Sequence, residues 1–158
     1  MKLRNVLPML AVATFALTSC ASKVTYKEFH EKAVEAAKKA KEVSFSKVVF
    51  DGYYEDEGKK EELKNIEVKF DKGEFAPKSE ASLSEGYMNE VAVAMILQMI
   101  TADVIPEDED GKTTYYAGST FKVVSEEDGK KYTAEWNQYG LLTSMKGDGN
   151  EYTVKYSK

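Results

Sequence analysis

Arginine is almost missing from this chain: Arg4 is the only one in 158 residues. Its scarcity removes the side chain best suited to bidentate capture of carboxylate or phosphate. Cysteine and histidine occur once each, as Cys20 and His30, and proline three times. One Cys and one His exclude an internal disulfide and a His/Cys metal cluster. There is no G-x-S-x-G elbow, no H-E-x-x-H, no Cys–His pair and no glycine-rich loop to cradle phosphate. No apolar run reaches the ~20 residues that a membrane-spanning helix needs. Cations are outnumbered, 22 Lys and Arg against 27 Asp and Glu, for a net charge of −5. That balance argues against nucleic acid as a partner, which would call for a basic face. A chain that is 42% hydrophobic and 31% charged is neither disordered nor a membrane bundle. Its length suits one domain.

The N-terminus carries an address. Lys2 and Arg4 precede a mostly apolar run, Val6 to Leu17, and Leu17-Thr18-Ser19-Cys20 follows at once. Basic residues, a short apolar core and small residues at its end make a signal peptide. The Leu-Thr-Ser-Cys ending resembles the bacterial lipobox at all four positions. That resemblance implies cleavage before Cys20, diacylation of its thiol, and a protein held by lipid to the outer surface of a cell membrane or to an outer membrane. Two or three acyl chains anchor firmly, since each buried CH₂ contributes ~0.8 kcal/mol. Ala21 stands where an Asp would resemble the inner-membrane retention signal, which favours the outer membrane in a two-membrane cell. Residues 1–19 are thus expected to be the signal peptide, 20–24 the acylated Cys with a short tether, and 25–158 a single α+β domain. Cleavage removes Lys2 and Arg4 and leaves 139 residues, with 20 lysines against the same 27 acids, net −7.

Thr25-Tyr26-Lys27-Glu28 reads as a capping box. Tyr26, Phe29, Ala33, Ala36, Ala37 and Ala40 then recur at helical spacing, predicting an amphipathic helix that ends near Lys41. Val43–Tyr54 and Ile66–Phe70 are strand candidates joined by a long acidic tip at 55–62. A second capping box, Ser82 to Glu85, precedes an apolar stretch from Tyr87 to Asp103 that predicts a helix buried on more than one side. From Lys112 onward the period is two. Thr113–Ala117, Thr120–Ser125, Lys131–Asn137, Leu141–Lys146 and Glu151–Ser157 form an expected antiparallel meander, with turns at Gly118-Ser119, Asp128-Gly129, Tyr139-Gly140 and Asp148-Gly149. Tyr132, Ala134 and Trp136 share one face, and Tyr152, Val154 and Tyr156 repeat the pattern. The segment Trp136 to Thr143 resembles the aromatic-polar-x-x-Gly-Leu-x-Thr hairpins of secreted bacterial β proteins, a likeness that carries no activity. The expected fold is α+β: a curved antiparallel sheet of about six or seven strands with two helices packed on one face.

The search for chemistry returns little. His30, at the edge of the first helix's apolar stripe, lacks the orienting acid and nucleophile of a general base. Pro106 to Gly111 fails the EF-hand pattern, with Pro106 and Ala117 standing where acids are needed. Carboxylate pairs for glycoside cleavage could be assembled from distant strands, yet 27 acids always permit one. The expectation is therefore a protein without catalytic residues, metal or cofactor. The methionines of the second helix, Met88, Met95 and Met99, suit either a plain core or a pocket for an apolar or amphipathic ligand. Met88, Val91, Met95, Met99, Tyr132 and Trp136 are the candidate lining. Such an arrangement is similar to the incomplete barrels of periplasmic lipoprotein carriers and mycobacterial lipid-binding lipoproteins. The alternative is an envelope protein–protein interaction module: Tyr53-Tyr54 and Tyr115-Tyr116 must each turn one ring away from the core, and a contiguous aromatic patch would suit a protein partner.

Overall fold

The computed structural model describes residues 21–45, 47–71, 74–75 and 99–157. Over these residues the chain is an α+β fold built on one antiparallel sheet. The strands are β1 (Ala21–Val24), β2 (Lys47–Asp56), β3 (Lys59–Asp71), β4 (Glu74–Phe75), β5 (Thr113–Gly118), β6 (Phe121–Glu127), β7 (Lys130–Trp136), β8 (Leu142–Gly147) and β9 (Asn150–Ser157). The helix α1 spans Tyr26–Ala40, and a short 3₁₀ helix covers Ala102–Val104. The strand order is β1-β5-β6-β7-β8-β9-β2-β3-β4. The five-strand meander β5–β9 is thus flanked by the N-terminal strand on one side and the β2–β3 hairpin on the other.

The capping box forms as expected. The Glu28 amide donates to Thr25 Oγ1 at 3.2 Å, and the Thr25 amide donates to Glu28 Oε2 at 3.1 Å. That second bond is the main reason the Glu28 carboxyl is held below its usual range. Phe29, Ala33, Ala36 and Ala40 are buried, and the thin alanine stripe lets α1 lie close to the sheet. Gly140 sits beneath it, where an added Cβ would stand 3.5 Å from Ala36 Cβ.

Several expectations require correction. The sheet has nine strands, not six or seven, because both of its edges are unexpected. Ala21–Val24 is no tether. It pairs with β5 from Ala21 opposite Gly118 to Val24 opposite Tyr115. Four residues with a single alternation carry too little pattern to announce a strand, and pairing with β5 supplies the rest. The long acidic tip at 55–62 is a tight hairpin instead: Glu57 and Gly58, with φ of 48° and 76°, make the turn. Glu55 stands opposite Lys60 and Asp56 opposite Lys59 in the backbone register, so residues that suggested a long loop are strand on both sides of the turn. The expected second helix, Tyr87 to Asp103, falls mostly on 87–98, outside the described residues. Its last part is not α-helical: Thr101 bridges Leu141, the Ala102 amide donates to Gly140 O at 2.9 Å, and Leu142 N donates to Ile100 O at 2.8 Å. Backbone pairing with the β7–β8 turn has displaced the helical bonds there. Among the described residues α1 is the one α-helix.

The sheet has an inner, packed face and an outer, wet one. Trp136, Phe29, Phe50, Leu63, Leu141, Leu142 and Val48 are the largest fully buried side chains. Outward residues form surface pairs instead, such as Lys47–Glu67 at 2.9 Å and Lys122–Glu135 at 3.6 Å.

Candidate functional site

The register aligns one transverse row of residues on the inner face: Val24, Tyr115, Val123, Ala134, Met145, Tyr152, Gly52 and Leu63, one from each of eight strands. Two positions in the middle of this row are small. Ala134 lies between Val123 and Met145, and Gly52 contributes no side chain beyond Tyr152. A groove of about 300 Å³ opens over this stretch, lined by Met99, Val123, Ser125, Tyr132, Ala134, Met145, Gly147, Asn150 and Tyr152 among others. Its surface is mostly apolar. Tyr132 lies against Gly147, where an added Cβ would come within 2.5 Å of the ring. Glycine at 147 is therefore what allows that ring its place in the wall.

A second, wider depression of about 580 Å³ shares Met99, Val123 and Ser125 with the groove. It runs over Val104, Ile105, Pro106 and Tyr115 to a rim that holds Glu107, Asp108, Asp110, Glu126, Glu127 and Lys112. The loop at this rim is tied down by tyrosines. Tyr26 donates to Ile105 O at 3.1 Å, Tyr115 donates to Pro106 O at 3.2 Å, and the Asp108 amide donates to the Tyr115 hydroxyl at 2.9 Å. Asp108 Oδ1 accepts from the Asp110 amide at 3.0 Å. A bond from the Thr113 side chain is the leading cause that keeps the Asp108 carboxyl below its ordinary range. The Asp108 carboxylate thus folds the loop back on itself. Among the described residues no group of three or more His, Cys, Asp or Glu could hold a metal ion.

Of the six predicted lining residues, Met99 and Tyr132 meet in the groove. Met88, Val91 and Met95 lie outside the described residues, as does Cys20. Trp136 is set apart: it is 1% exposed, with its ring edge-on to Phe29 beneath α1 at 6.3 Å. Its Nε1–H donates to Met99 O at 3.0 Å, so it holds the groove's edge from behind. Val123, Met145 and Tyr152 were missed as lining. Their alternation marks them as inward, but the sequence does not show which row they share, because a bulge between Glu135 and Trp136 resets the β7–β8 register. Burial, and next the proximity of Tyr54, raises the Tyr152 hydroxyl above its usual range and keeps it a neutral donor.

The paired tyrosines split as strand alternation requires. Tyr54 and Tyr115 are buried, while Tyr53 and Tyr116 are partly exposed on the outer face. Tyr53 donates to Glu151 Oε2 at 3.1 Å and carries Lys60 Nζ 3.7 Å from its ring centre. Four strands separate it from Tyr116, so the two do not form a common patch. His30 stacks on Tyr26 with ring centres 5.7 Å apart. No helix among the described residues is long and apolar enough to cross a membrane. Comparison of the chain with protein-family models, with curated proteins and with solved structures returns no match.

Proposed function

We propose that the protein is a lipid-anchored, extracytoplasmic binding protein, without catalytic activity, that holds a hydrophobic or amphipathic ligand on the inner face of its sheet. The reading rests on one observation: a mostly apolar groove in the row Val123–Ala134–Met145–Tyr152, whose lining also includes a few polar side chains, Ser125, Thr133, Lys146 and Asn150 among them. An apolar depression with a few polar groups to orient a ligand is the usual form of a small-molecule site. The anchor part of the reading comes from Leu17 to Cys20, with Cys20 as the acylated residue. A second helix on the same face, suggested by the apolar spacing of Tyr87 to Gln98, belongs to this reading too. A protein partner on the outer face is less favoured, since Tyr53 and Tyr116 stand apart and Tyr53 is engaged by Glu151 and Lys60.

The test is native mass spectrometry of protein purified gently from its own membrane. A covalent diacyl adduct at Cys20 and a separate, dissociable apolar adduct are expected. Ser125→Phe, which fills the groove from a partly exposed position, should remove the dissociable adduct and leave the melting temperature within a few degrees. Wild-type protein that carries no dissociable adduct, and gains none from a lipid extract, would sink the ligand reading.

A further inference from the structure

The pairing of β1 with β5 has a consequence for how an anchored chain meets its membrane. If Cys20 carries the acyl chains, as in the reading above on which this inference rests, no slack separates them from the fold. Ala21 is already bonded into the sheet opposite Gly118, and consecutive Cα atoms are only about 3.8 Å apart. The anchor therefore leaves the domain at one fixed corner, beside the β5–β6 turn.

The two ends of the sheet differ in charge, although Asp71 and Glu74, which flank the β3–β4 turn, share the end at Ala21. The end at Ala21 carries Gly118-Ser119-Thr120 and Asn137-Gln138-Tyr139-Gly140-Leu141, turns without a single charged residue. The helix α1 runs toward this end, from Tyr26 beside Tyr115 to Ala36 beside Gly140. It brings exposed Lys38, Lys39 and Lys41 there at its C-terminus, with Lys39 3.3 Å from Glu35 and Glu42 as the one acid that follows. The opposite end holds more acids than lysines: Glu55, Glu57, Glu126 to Asp128, Asp148 and Glu107 to Asp110 stand there with Lys59, Lys60, Lys112, Lys130, Lys131 and Lys146, and Lys130 lies 2.6 Å from Asp148. The length of β6, seven residues, sets these tips about 20 Å from the first end at ~3.3 Å per residue. That is some two Debye lengths at physiological salt, far enough to escape repulsion by an anionic surface.

We propose that the domain stands on the membrane with the Gly118–Thr120 and Asn137–Leu141 turns and the lysines ending α1 against the phospholipid headgroups, and the acidic hairpin tips pointing away. The surface is a docking face for anionic lipid. Uncharged turns can approach the headgroups without losing ion hydration, and the three lysines complement their charge.

The experiment uses full-length, natively acylated protein in vesicles of phosphatidylethanolamine and phosphatidylglycerol. Ser119→Cys and Glu127→Cys, both at exposed positions, are each labelled with a thiol-reactive fluorophore, Cys20 being blocked by its own lipid. A quencher carried on the headgroups should quench the label at 119 several-fold more strongly than the label at 127. Replacing Lys38, Lys39 and Lys41 by Gln should shrink that contrast in anionic vesicles and leave it unchanged in neutral ones. Equal or reversed quenching, with acyl chains on Cys20 confirmed by intact mass, would overturn the orientation while the anchor stands. An intact mass without acyl chains would remove the anchor and the orientation together.

Discussion

Trp136 offers the sharpest test of how the groove is held. Its indole is 1% exposed, packs against Phe29, and donates to the Met99 carbonyl at 3.0 Å. Trp136→Phe keeps an aromatic ring against Phe29 but removes the donor and the pyrrole half of the side chain. The missing volume, ~40 Å³, costs about 1 kcal/mol at ~24 cal/mol per Å³. The stranded Met99 carbonyl adds about 1–3 kcal/mol, the penalty for a buried acceptor left unpaired. The expected loss is about 3 kcal/mol, or a melting temperature lower by ~10 °C for a domain of this size. Trp136 is the sole tryptophan, so both proteins should be followed by far-ultraviolet circular dichroism in urea. The denaturant slope should stay constant while the midpoint falls. Because Met99 also lines the groove, retention of an apolar ligand should drop further than stability alone accounts for. A loss below about 1 kcal/mol would mean that water or another donor replaces the indole, and that Trp136 does not fix Met99.

Other outcomes follow from the same contacts. Thr25→Ala removes the N-cap oxygen of α1 and should cost about 1 kcal/mol in urea unfolding, with Thr25→Ser restoring most of it. Burial raises the Tyr156 phenol far above its ordinary 10.0. Above that pH the unfolded chain gives up a proton that the folded chain keeps, so stability must fall as pH rises. Tyr156→Phe should therefore lose less stability than wild type between pH values of about 9 and 11, and parallel losses would refute the assignment. Gly147→Ala should displace the Tyr132 ring and destabilise by about 1–3 kcal/mol, visible as a lower melting temperature together with weaker ligand retention. A double-mutant cycle on Lys130 and Asp148, 2.6 Å apart but both well exposed, should return less than about 1 kcal/mol.

Local rules were legible in the sequence wherever one residue or one period carries the physics. The Thr25–Glu28 box, the alanine stripe of α1, the Asp128-Gly129 and Asp148-Gly149 turns and the inward set Tyr132–Ala134–Trp136 all stand as read. Asn137 shows why the segment after Trp136 has its pattern. Its side chain accepts from the Tyr139 and Leu141 amides at 2.9 and 3.1 Å, and Gly140 takes a φ of 66° that favours glycine. The failures share a cause as well. At 55–62 the charged run is exposed as expected, but it is strand on both sides of the Glu57-Gly58 turn, which only the pairing of β2 with β3 shows.

What the sequence by itself determined is set by near neighbours: helix caps, two-residue turns, and the inward or outward sense of each strand residue. Tertiary structure decided what depends on partners far along the chain. It recruited Ala21–Val24 as an edge strand, for which the hydrogen-bonding row of β5 is the reason. It turned Met99–Thr101 away from α-helix by pairing Ile100 to Ala102 with Gly140 to Leu142. It buried Trp136 under Phe29, and it brought Val123, Ala134, Met145 and Tyr152 into one row. Alternation fixes which way a side chain points, but only register fixes its neighbours, and register is a property of the assembled sheet.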